Sequence, residues 1–481
     1  MISPKQAAAR TVSTEPTASP SSQDEWIEVH DELGDISFPR QQPFGPHTWR
    51  AFRKIIVSGQ KTPFPLIEAL VRVKWACAHA NQLDQVLDQD IAQLIQRAAK
   101  EVLSEKTRSP HLWHERFPLD YWQSGAGTNL NMNINETLAY QANGGRWDGP
   151  VRSHDHVNRS QSSNSVFPTA LRLALLSECK PLLHELHSIS HLIFKRATEW
   201  DSLEKPARTH LQDAVPTTVG NEWRAWGQAL ERCRHWIGES RTELLKICIG
   251  AGAAGTSLNV PPHFGENTCR KLQELTQESE ITEEPNHAAD FLQSAFAPVH
   301  YHSQLTLLAC ELYRITSDLR LLASGPRCGL GEVLLPAVHA GSSMMPGKIN
   351  PSILELAAQV QFRILGNQTS ILHAFQSGQL DLNVMTPIIA NLTLDSTELL
   401  THTLRLLRTE VFETLEMNLT RIQEYNRVNL QGATALTPHY GHKQVGEWIQ
   451  RAQKLGLTLE EVLPHSIATE IRRKKTTTEL T

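Results

Sequence analysis

Two unusually long stretches of the chain repeat apolar residues at helical spacing. One runs from about Thr169 to Trp200 and the other from about Asn350 to Phe412, and few helix-breaking residues interrupt them. Helices of this length are typical of a bundle of long rods. Pro181 lies inside the first stretch, and its ring is expected to kink the helix locally. Strand-like alternation is scarce, so the sequence predicts a mainly α fold.

The length of the chain allows for about three domains. It has 481 residues, and roughly 150 residues make one typical domain. Trp26 to Trp49 contains three prolines and is expected to be irregular. The predicted organisation is a disordered tail at residues 1–30, an N-terminal mainly helical domain at 31–159, a central helical bundle domain at 160–420 and a small C-terminal helical domain at 421–481.

Composition and charge exclude several classes of protein. With 40% apolar and 20% charged residues, the chain is globular rather than disordered or fibrous. A net charge of -5 offers no basic surface for nucleic acid, and no stretch is apolar enough to span a membrane. Seven scattered cysteines without a CxxC pair argue against a disulfide framework or a structural zinc site. We therefore expect a cytoplasmic protein, the alternative being organelle targeting through the Ser-, Thr- and Ala-rich residues 1–22.

Two glycine-containing motifs resemble nucleotide-binding loops but lack their context. Gly250, Gly252 and Gly255 form a GxGxxG string, yet strands and helices do not alternate around it as a dinucleotide fold requires. A loop that needs positive φ angles explains these glycines better. The segment from Gly341 to Lys348 is not a Walker loop, because five residues instead of four lie between its glycines and Ile349 replaces the Ser or Thr that holds magnesium.

Three histidines, His184, His187 and His191, share one face of the first long helix. No carboxylate or cysteine completes an obvious tetrahedral ligand set with them. We therefore expect a solvated helix face here and no metal site.

Four loop segments rich in Gly, Ser, Asn and Thr separate the predicted helices. Such loops, held by a rigid scaffold, are where chemistry is usually carried. The last of them contains GSSMMPGKINP, which combines a flexible Gly, two hydroxyls, a Pro, and a cation with an amide just before a helix. These are the parts that anion binding and a mobile lid require. The segments are Gln123 to Asn135, Arg152 to Thr169, Thr209 to Gly220 and Ala340 to Pro351.

The sequence GSSMMPGKINP, from Gly341 to Pro351, closely resembles the signature GSSxMPxKxNP of the aspartase/fumarase superfamily. Other blocks resemble further signatures of the family in the same order: GAGT from Gly125 with NMN after it, DHVNRSQSSN from Asp155, and RTHLQDA from Arg208. The resemblance covers about Asp31 to Leu463. It implies a three-domain lyase whose central helices form a twenty-helix core in a homotetramer. It also implies active sites shared between three subunits and no metal or organic cofactor.

The resemblance further implies a reversible anti elimination across the C2–C3 bond of a succinyl compound, a small dicarboxylate, which releases fumarate. Ser342 matches the catalytic base, and it must be ionised by loop amides and nearby positive charge once water is excluded. Lys348 and Asn350 match the pair that binds the substrate carboxylate and stabilises the dianionic intermediate. His210 matches a histidine paired with a carboxylate, here Glu355, which together would orient the leaving group or its water. The residues that match the positions holding the second carboxylate and the leaving group are Thr128, Ser162, Ser163, Asn164, Thr209 and Ser343.

Different motifs of the chain favour different leaving groups. Ala126 and the run from Leu211 to Pro216 look more like aspartases, which favours ammonia. The run from Gln161 to Asn164 looks more like fumarases, and many aspartases have Gln in place of His210, which favours water. We predict an aspartate ammonia-lyase, with a class II fumarase acting on malate and fumarate as the alternative.

Two departures from the family pattern point to a third alternative for the substrate. Ser165 replaces the Asp that normally follows the motif asparagine, and Arg152 begins a segment that replaces the fumarases' accessory anion site while keeping Asp155. A relative that eliminates another amine from a substituted succinate would fit these changes. A helical scaffold without activity would lack the base, the cation or the histidine, and the sequence keeps all three.

Overall fold

The computed structural model describes residues 26 to 469 of the protein. The first part is a β-hairpin followed by five helices, and the hairpin shows that the prediction of an irregular segment from Trp26 to Trp49 was wrong. Ile27 and Val29 alternate with polar residues on the first strand and face Phe38 and Ile36 on the second. These elements are β1 (Trp26–Asp31), β2 (Gly34–Pro39), α1 (Pro46–Lys54), α2 (Phe64–Leu83), α3 (Gln89–Arg108), α4 (Pro110–Arg116) and α5 (Thr128–Ala142).

The predicted tail at residues 1–30 is shortened by the same hairpin. Trp26 to His30 belong to β1, so this part of the prediction was wrong. Residues 1–25, like the Thr-rich residues 470–481 at the other end, lie outside the described part of the chain.

The central part of the chain holds the long helices. Mainly helical structure was predicted and is confirmed, and strands occur within residues 26–469 only as two-stranded pairs. The helices are α6 (Ser163–Glu199), α7 (Val219–Leu244), α8 (Phe264–Thr276), α9 (Ala288–Gln293), α10 (Phe296–Leu322), α11 (Ser352–Gln376) and α12 (Thr386–Leu407). The strands are β3 (Glu204–Thr209), β4 (Gln212–Thr218), β5 (Lys246–Ile247), β6 (Thr282–Glu283), β7 (Val333–Leu334) and β8 (Glu416–Met417).

Helix α6 confirms the first of the two long periodic stretches. It has 37 residues, a length of about 55 Å at 1.5 Å per residue. The helix is continuous through Pro181. Its apolar side faces α7 and α12, and α10 packs against α7, α11 and α12.

The second periodic stretch is two helices rather than one. Gly378 allows the chain to turn here, because a Cβ on it would lie 2.9 Å from the carbonyl oxygen of Gln293. Asn383 then serves both helices: its Nδ2 donates to the carbonyl oxygen of Ala374 in α11 at 3.2 Å, and its Oδ1 accepts from the amide of Met385, just before α12, at 2.9 Å. A periodicity of apolar residues does not report such capping, so the break was missed.

Most of the buried apolar side chains form one large cluster that extends from Ala51 to Ile422. No gap in this core marks the boundary predicted at residues 159 and 160, and the domain limits stay a prediction. Five helices of 22 residues or more, α6, α7, α10, α11 and α12, run through the central part. Four copies of the chain would therefore supply twenty.

The C-terminal elements form a small unit with an apolar cluster of its own. Leu463, Ile467 and Ala468 pack there with Trp448 and Leu459. The helices are α13 (Leu419–Val428), α14 (Thr437–Tyr440), α15 (His442–Leu455) and α16 (Leu459–Val462).

The glycine string lies in a loop, as predicted. Gly252 and Gly255 have φ angles of 68° and 77°, which only glycine adopts readily. The string follows β5, which pairs in parallel with β6 over only two residues, and α8 lies between the two strands in the chain.

Candidate active site

The turn before α5 fixes the position of Thr128. Ala126 and Gly127 both have positive φ angles, 57° and 69°. A Cβ on Gly127 would lie 2.1 Å from the ring of Phe167, so only glycine allows this approach to α6. The amide of Ala126 donates to the carbonyl oxygen of Val384 at 3.1 Å. The turn is thereby held between two long helices, and Thr128 becomes the first residue of α5.

The first turn of α6 supplies three more of the predicted site residues. Ser162 is the N-cap, and its Oγ accepts from the amide of Asn164 at 3.2 Å. Ser163 Oγ lies 3.1 Å from Thr128 Oγ1, so the beginnings of α5 and α6 meet. Helix N-termini carry free N–H groups and a positive dipole end, which favour a carboxylate. The side-chain amide of Asn164 donates to the carbonyl oxygen of Ala253 at 2.8 Å and holds the glycine-rich loop beside this cluster.

Thr209 and His210 lie at the end of a β-hairpin, where a loop from Thr209 to Gly220 was predicted. Strands β3 and β4 pair in antiparallel register up to Thr209 and Gln212, leaving His210 and Leu211 as the turn. Both turn residues have positive φ angles, 56° and 58°, which is the requirement of a type I′ turn. This conformation costs about 1–3 kcal/mol for each residue other than glycine. His210 is exposed at the tip.

A buried group of charges anchors that hairpin. Glu332 is fully buried, and its carboxylate lies 2.7 Å from Lys205 Nζ and 2.6 Å from Arg208 Nη1, both on β3. Lys205 also contacts Glu222 of α7 at 3.0 Å, and the guanidinium of Arg208 lies 5.1 Å from the ring centre of Tyr425. None of these anchors was identified from the sequence.

The C-terminal unit holds the hairpin from the other side. The side-chain Nδ2 of Asn426 donates to the carbonyl oxygen of Glu204 at 2.7 Å, and Nδ2 of Asn429 donates to the carbonyl oxygen of Ala214 at 3.0 Å. Both strands of the hairpin are thus fixed by side chains more than 200 residues away.

The run from Gly341 to Pro351 forms a closed loop. The amide of Gly341 donates to the carbonyl oxygen of Lys348 at 2.9 Å, and Asn350 Nδ2 donates to the carbonyl oxygen of Gly341 at 2.6 Å. A Cβ on Gly341 would lie 2.4 Å from the carbonyl oxygen of Lys348. Glycine is therefore needed here for a close backbone approach.

Ser342 Oγ accepts hydrogen bonds from two backbone amides of the same loop. The donors are Met344 at 3.1 Å and Met345 at 2.8 Å. Donors aimed at an oxygen favour its ionised form, so this geometry suits a base. Ser342 is half-buried, whereas Ser343 and Lys348 are exposed.

The predicted site residues form three separate clusters in one chain. Within the described residues, no hydrogen bond or ion pair joins the Thr128 cluster, the His210 hairpin and the Ser342 loop to one another. In particular, His210 does not pair with Glu355 inside the chain. Glu355, in the first turn of α11, lies 3.8 Å from Arg320 Nη2 instead. The clusters are Thr128 with Ser162, Ser163 and Asn164; Thr209 with His210; and Ser342, Ser343, Lys348 and Asn350 with Glu355.

The two departures from the family pattern, at Ser165 and at the segment that begins with Arg152, differ in their burial. Ser165 is fully buried, and its Oγ donates to the carbonyl oxygen of Ser162 at 3.3 Å. Arg152 and Asp155 are exposed, and the backbone amide of Arg152 donates to Nδ1 of His156 at 3.0 Å.

Neither a metal-binding group of side chains nor a membrane-spanning helix is found in the part of the chain that the structure describes. No three His, Cys, Asp or Glu side chains there are placed to hold a metal ion, and His184, His187 and His191 are exposed on α6. No helix within residues 26–469 is long and apolar enough to cross a membrane.

Comparisons with known proteins cover almost the whole chain. A family model described as lyase matches residues 34–366. The chain is 37% identical over 442 residues to fumarate hydratase class II of Halalkalibacterium halodurans, which covers 91% of this chain and 94% of the relative. It is 38% identical over 438 residues to fumarate hydratase class II of Chlamydia trachomatis, which covers 90% of this chain and 93% of the relative.

A solved structure agrees with the sequence comparisons. Recombinant class II fumarase from Schistosoma mansoni superimposes with a TM-score of 0.86 at 32% identity, over 91% of this chain and 94% of that one. The region matched by the family model, residues 34–366, contains all three clusters of site residues. The chain therefore belongs to the lyase family of the aspartase/fumarase superfamily.

Proposed function

We propose that the protein is a fumarate hydratase that interconverts malate and fumarate. The observation that carries this proposal is that relatives named fumarate hydratase class II align with about nine-tenths of the chain at 36–38% identity. The comparisons thus support the alternative given above rather than the main prediction, aspartate ammonia-lyase, which they do not support. Water is the leaving group in this proposal.

Ser342 is proposed as the base that removes the proton from C3 of malate. General acid–base catalysis requires a group in the correct ionisation state beside the reacting carbon. The amides of Met344 and Met345 already donate to its Oγ, which favours the alkoxide. The proton passes to Ser342 and the electron pair moves into the neighbouring carboxylate.

Lys348 and Asn350 are proposed to stabilise the doubly charged aci-carboxylate group that results. Asn350 is held in place because its Nδ2 donates to the carbonyl oxygen of Gly341, and Lys348 closes the same loop through its own backbone oxygen. A cation and an amide aimed at developing negative charge are most effective when they need no reorganisation during the reaction.

Thr128, Ser162, Ser163 and Asn164 are proposed to bind the other carboxylate at the meeting point of α5 and α6. Both helix N-termini favour an anion there. Thr209 and His210 would hold the C2 hydroxyl, with His210 giving a proton to the leaving water. Glu355 would orient His210.

A homotetramer with shared sites is part of the proposal. The separation of the three clusters in one chain supports it, because they must meet for the reaction to occur. So does the exposed apolar surface of α11, where Phe362 is 57% and Leu372 46% exposed, since such surfaces mark interaction sites. The cytoplasm is proposed as the compartment, and all seven cysteines are free thiols, as in a reducing environment.

The deciding experiment follows the absorbance of the conjugated diacid with malate, fumarate or aspartate as substrate. We expect turnover of malate and fumarate and none of aspartate. The substitution Ser342→Ala should lower kcat about 100-fold or more, whereas Ser377→Ala, a hydroxyl at the end of α11, should leave it unchanged. Turnover of aspartate but not malate would overturn the proposed reaction.

A second experiment tests the shared site. Inactive Ser342→Ala and His210→Ala proteins are unfolded, mixed and refolded together. If the two residues of one site come from different subunits, the mixture regains a fraction of the wild-type activity. A mixture as inactive as its parents would contradict the shared site.

A further inference from the structure

Lys74, on α2, is a fully buried lysine without a carboxylate partner among the described residues. Its side chain is 0% exposed. Its Nζ donates to Gln161 Oε1 at 2.8 Å and to Asn158 Oδ1 at 3.1 Å, both of them neutral amides. Lys205, the other buried lysine of the described residues, contacts two carboxylates instead. Lys74 therefore differs from an ordinary structural ion pair.

Burying an unpaired charge is costly, and proteins usually pair it or neutralise it. Burial here lowers the pKa of Lys74 to about 7, with the neighbouring Cys77 acting in the opposite direction. A hydrophobic side chain of similar length would avoid this cost. Within residues 26–469 only neutral amides contact the protonated form of Lys74, so an anion bound nearby would supply the missing negative charge.

The two acceptors of Lys74 belong to the segment that leads into the substrate-binding turn. Gln161 directly precedes Ser162, and its Nε2 donates to the carbonyl oxygens of Val157 and Arg159 at 2.9 and 3.0 Å. Asn158 Nδ2 donates to the carbonyl oxygen of Gln161 at 3.3 Å. A single ammonium group thus fixes the backbone immediately before the start of α6.

The same acceptor also joins this segment to α5, which begins at Thr128. Asn131 and Asn135 donate through their Nδ2 atoms to Asn158 Oδ1 at 3.2 and 3.0 Å. Both asparagines are buried, and their own Oδ1 atoms have no partner among the described residues. Lys74 therefore connects the supports of both helix starts that form the Thr128 cluster.

We propose that Lys74 is a positioning residue of the substrate site, which holds the segment before Ser162 and whose uncompensated positive charge favours binding of a dicarboxylate. This inference rests on the proposed function, since malate and fumarate are dianions. The bound substrate supplies the negative charge that residues 26–469 do not place beside Lys74. Water is excluded from Lys74, so its field is screened less than that of an exposed lysine.

Two substitutions separate the charge of Lys74 from its role as a link. Lys74→Met removes both the charge and the two hydrogen bonds. Asn158→Asp keeps the side-chain oxygen that Lys74 contacts and loses only the 3.3 Å hydrogen bond from Asn158 Nδ2 to the carbonyl oxygen of Gln161. It also places a carboxylate beside the ammonium group of Lys74, which cancels the positive charge. If Lys74 were only a structural link, Asn158→Asp would preserve substrate affinity, because an ion pair is the stronger link.

The measurement is the affinity for succinate, a dicarboxylate that cannot react, by calorimetry at pH 6.5, together with KM and kcat for malate. We expect succinate binding about ten-fold weaker in both variants, a matching rise in KM and a smaller change in kcat. Lys74→Arg should recover part of the affinity. Val73→Ala is the matched control: Val73 is buried on the same helix, so this variant should lose stability with succinate affinity unchanged.

The outcomes distinguish this inference from the proposed reaction. Wild-type affinity for succinate in Asn158→Asp, or an equal loss in Val73→Ala, would overturn the role of the charge. If the wild-type protein converts aspartate rather than malate, the proposed reaction fails while the succinate series still decides the role of Lys74. If the wild-type protein binds no dicarboxylate, both fail.

Discussion

The substitution Glu332→Gln should destabilise the protein and impair the His210 hairpin together. Glu332 is fully buried between Lys205 and Arg208, the two cations of strand β3. Glutamine has nearly the same shape but no charge, so the change removes the electrostatic interaction without leaving a cavity. Two buried or largely buried cations would then lose their shared counter-ion.

The expected loss of unfolding free energy depends on the contacts that Lys205 and Arg208 keep in Glu332→Gln. Breaking a buried ion pair by removing one partner costs about 3–5 kcal/mol. Lys205 keeps its 3.0 Å contact to Glu222, and Arg208 keeps the face of Tyr425. We therefore expect the lower end of that range, about 3 kcal/mol of lost unfolding free energy. Because Arg208 directly precedes Thr209, kcat/KM for malate should also fall, by about ten-fold.

The assay is urea unfolding at pH 7 and a fixed protein concentration, with malate turnover measured on the same samples. Glu68→Gln is the matched control, since Glu68 also contacts two cations, Arg72 and Lys106, but is 25% exposed. Screening by solvent limits its expected cost to about 1 kcal/mol or less. Equal losses of stability in the two variants would refute the reasoning, because burial would then not decide the cost.

Three further predictions concern other parts of the molecule. Burial raises the pKa of Glu283 to about 7, so its stabilising contribution is complete below pH 4.5 and is lost as the pH rises through 7. The unfolding free energy of wild type minus Glu283→Gln should accordingly fall by about 2–3 kcal/mol across that window. Replacing both Asn426 and Asn429 by Ala should release the hairpin and lower kcat/KM several-fold, while succinate affinity at the Thr128 cluster changes less. Phe362→Glu should yield smaller assemblies in light scattering together with loss of malate turnover.

The long helices could be predicted because their sequence pattern is a local consequence of their packing. Each long helix buries one side along most of its length, so apolar residues recur every three or four positions. The ends were less predictable. Asn383 ends α11 and starts α12 with two side-chain hydrogen bonds, and a pattern of hydrophobicity contains no record of them.

The two hairpins were missed for different reasons. In β1 and β2 the alternation is present, with Ile27 and Val29 facing Phe38 and Ile36, but each strand has only six residues. The hairpin that carries His210 lacks the Asn-Gly or Gly-containing turn by which such turns are recognised. His210 and Leu211 adopt that turn because distant groups hold both strands.

Site residues were identifiable because the family motifs are contiguous, whereas their supports are not. Glu332 is 127 positions from Lys205 in the sequence, and Gln161 is 87 positions from Lys74. A buried lysine without an acidic partner is also indistinguishable, in sequence, from a lysine on a surface. Contacts of this kind depend on the packing of whole helices, so they emerge only from the folded chain.

Ser342 illustrates how catalysis in such a protein depends on more than one chain. Its Oγ accepts two amide hydrogen bonds, but the loop around it is open to solvent, with Met344 87% exposed. The attraction between two charges is about four-fold greater at an effective dielectric constant of 20 than in water. Lys348 can therefore favour an ionised Ser342 far more once water is excluded, and the described residues of a single chain do not provide that cover. The surfaces that exclude water from this loop in the proposed tetramer would then contribute to the basicity of Ser342 as directly as its own hydrogen bonds do.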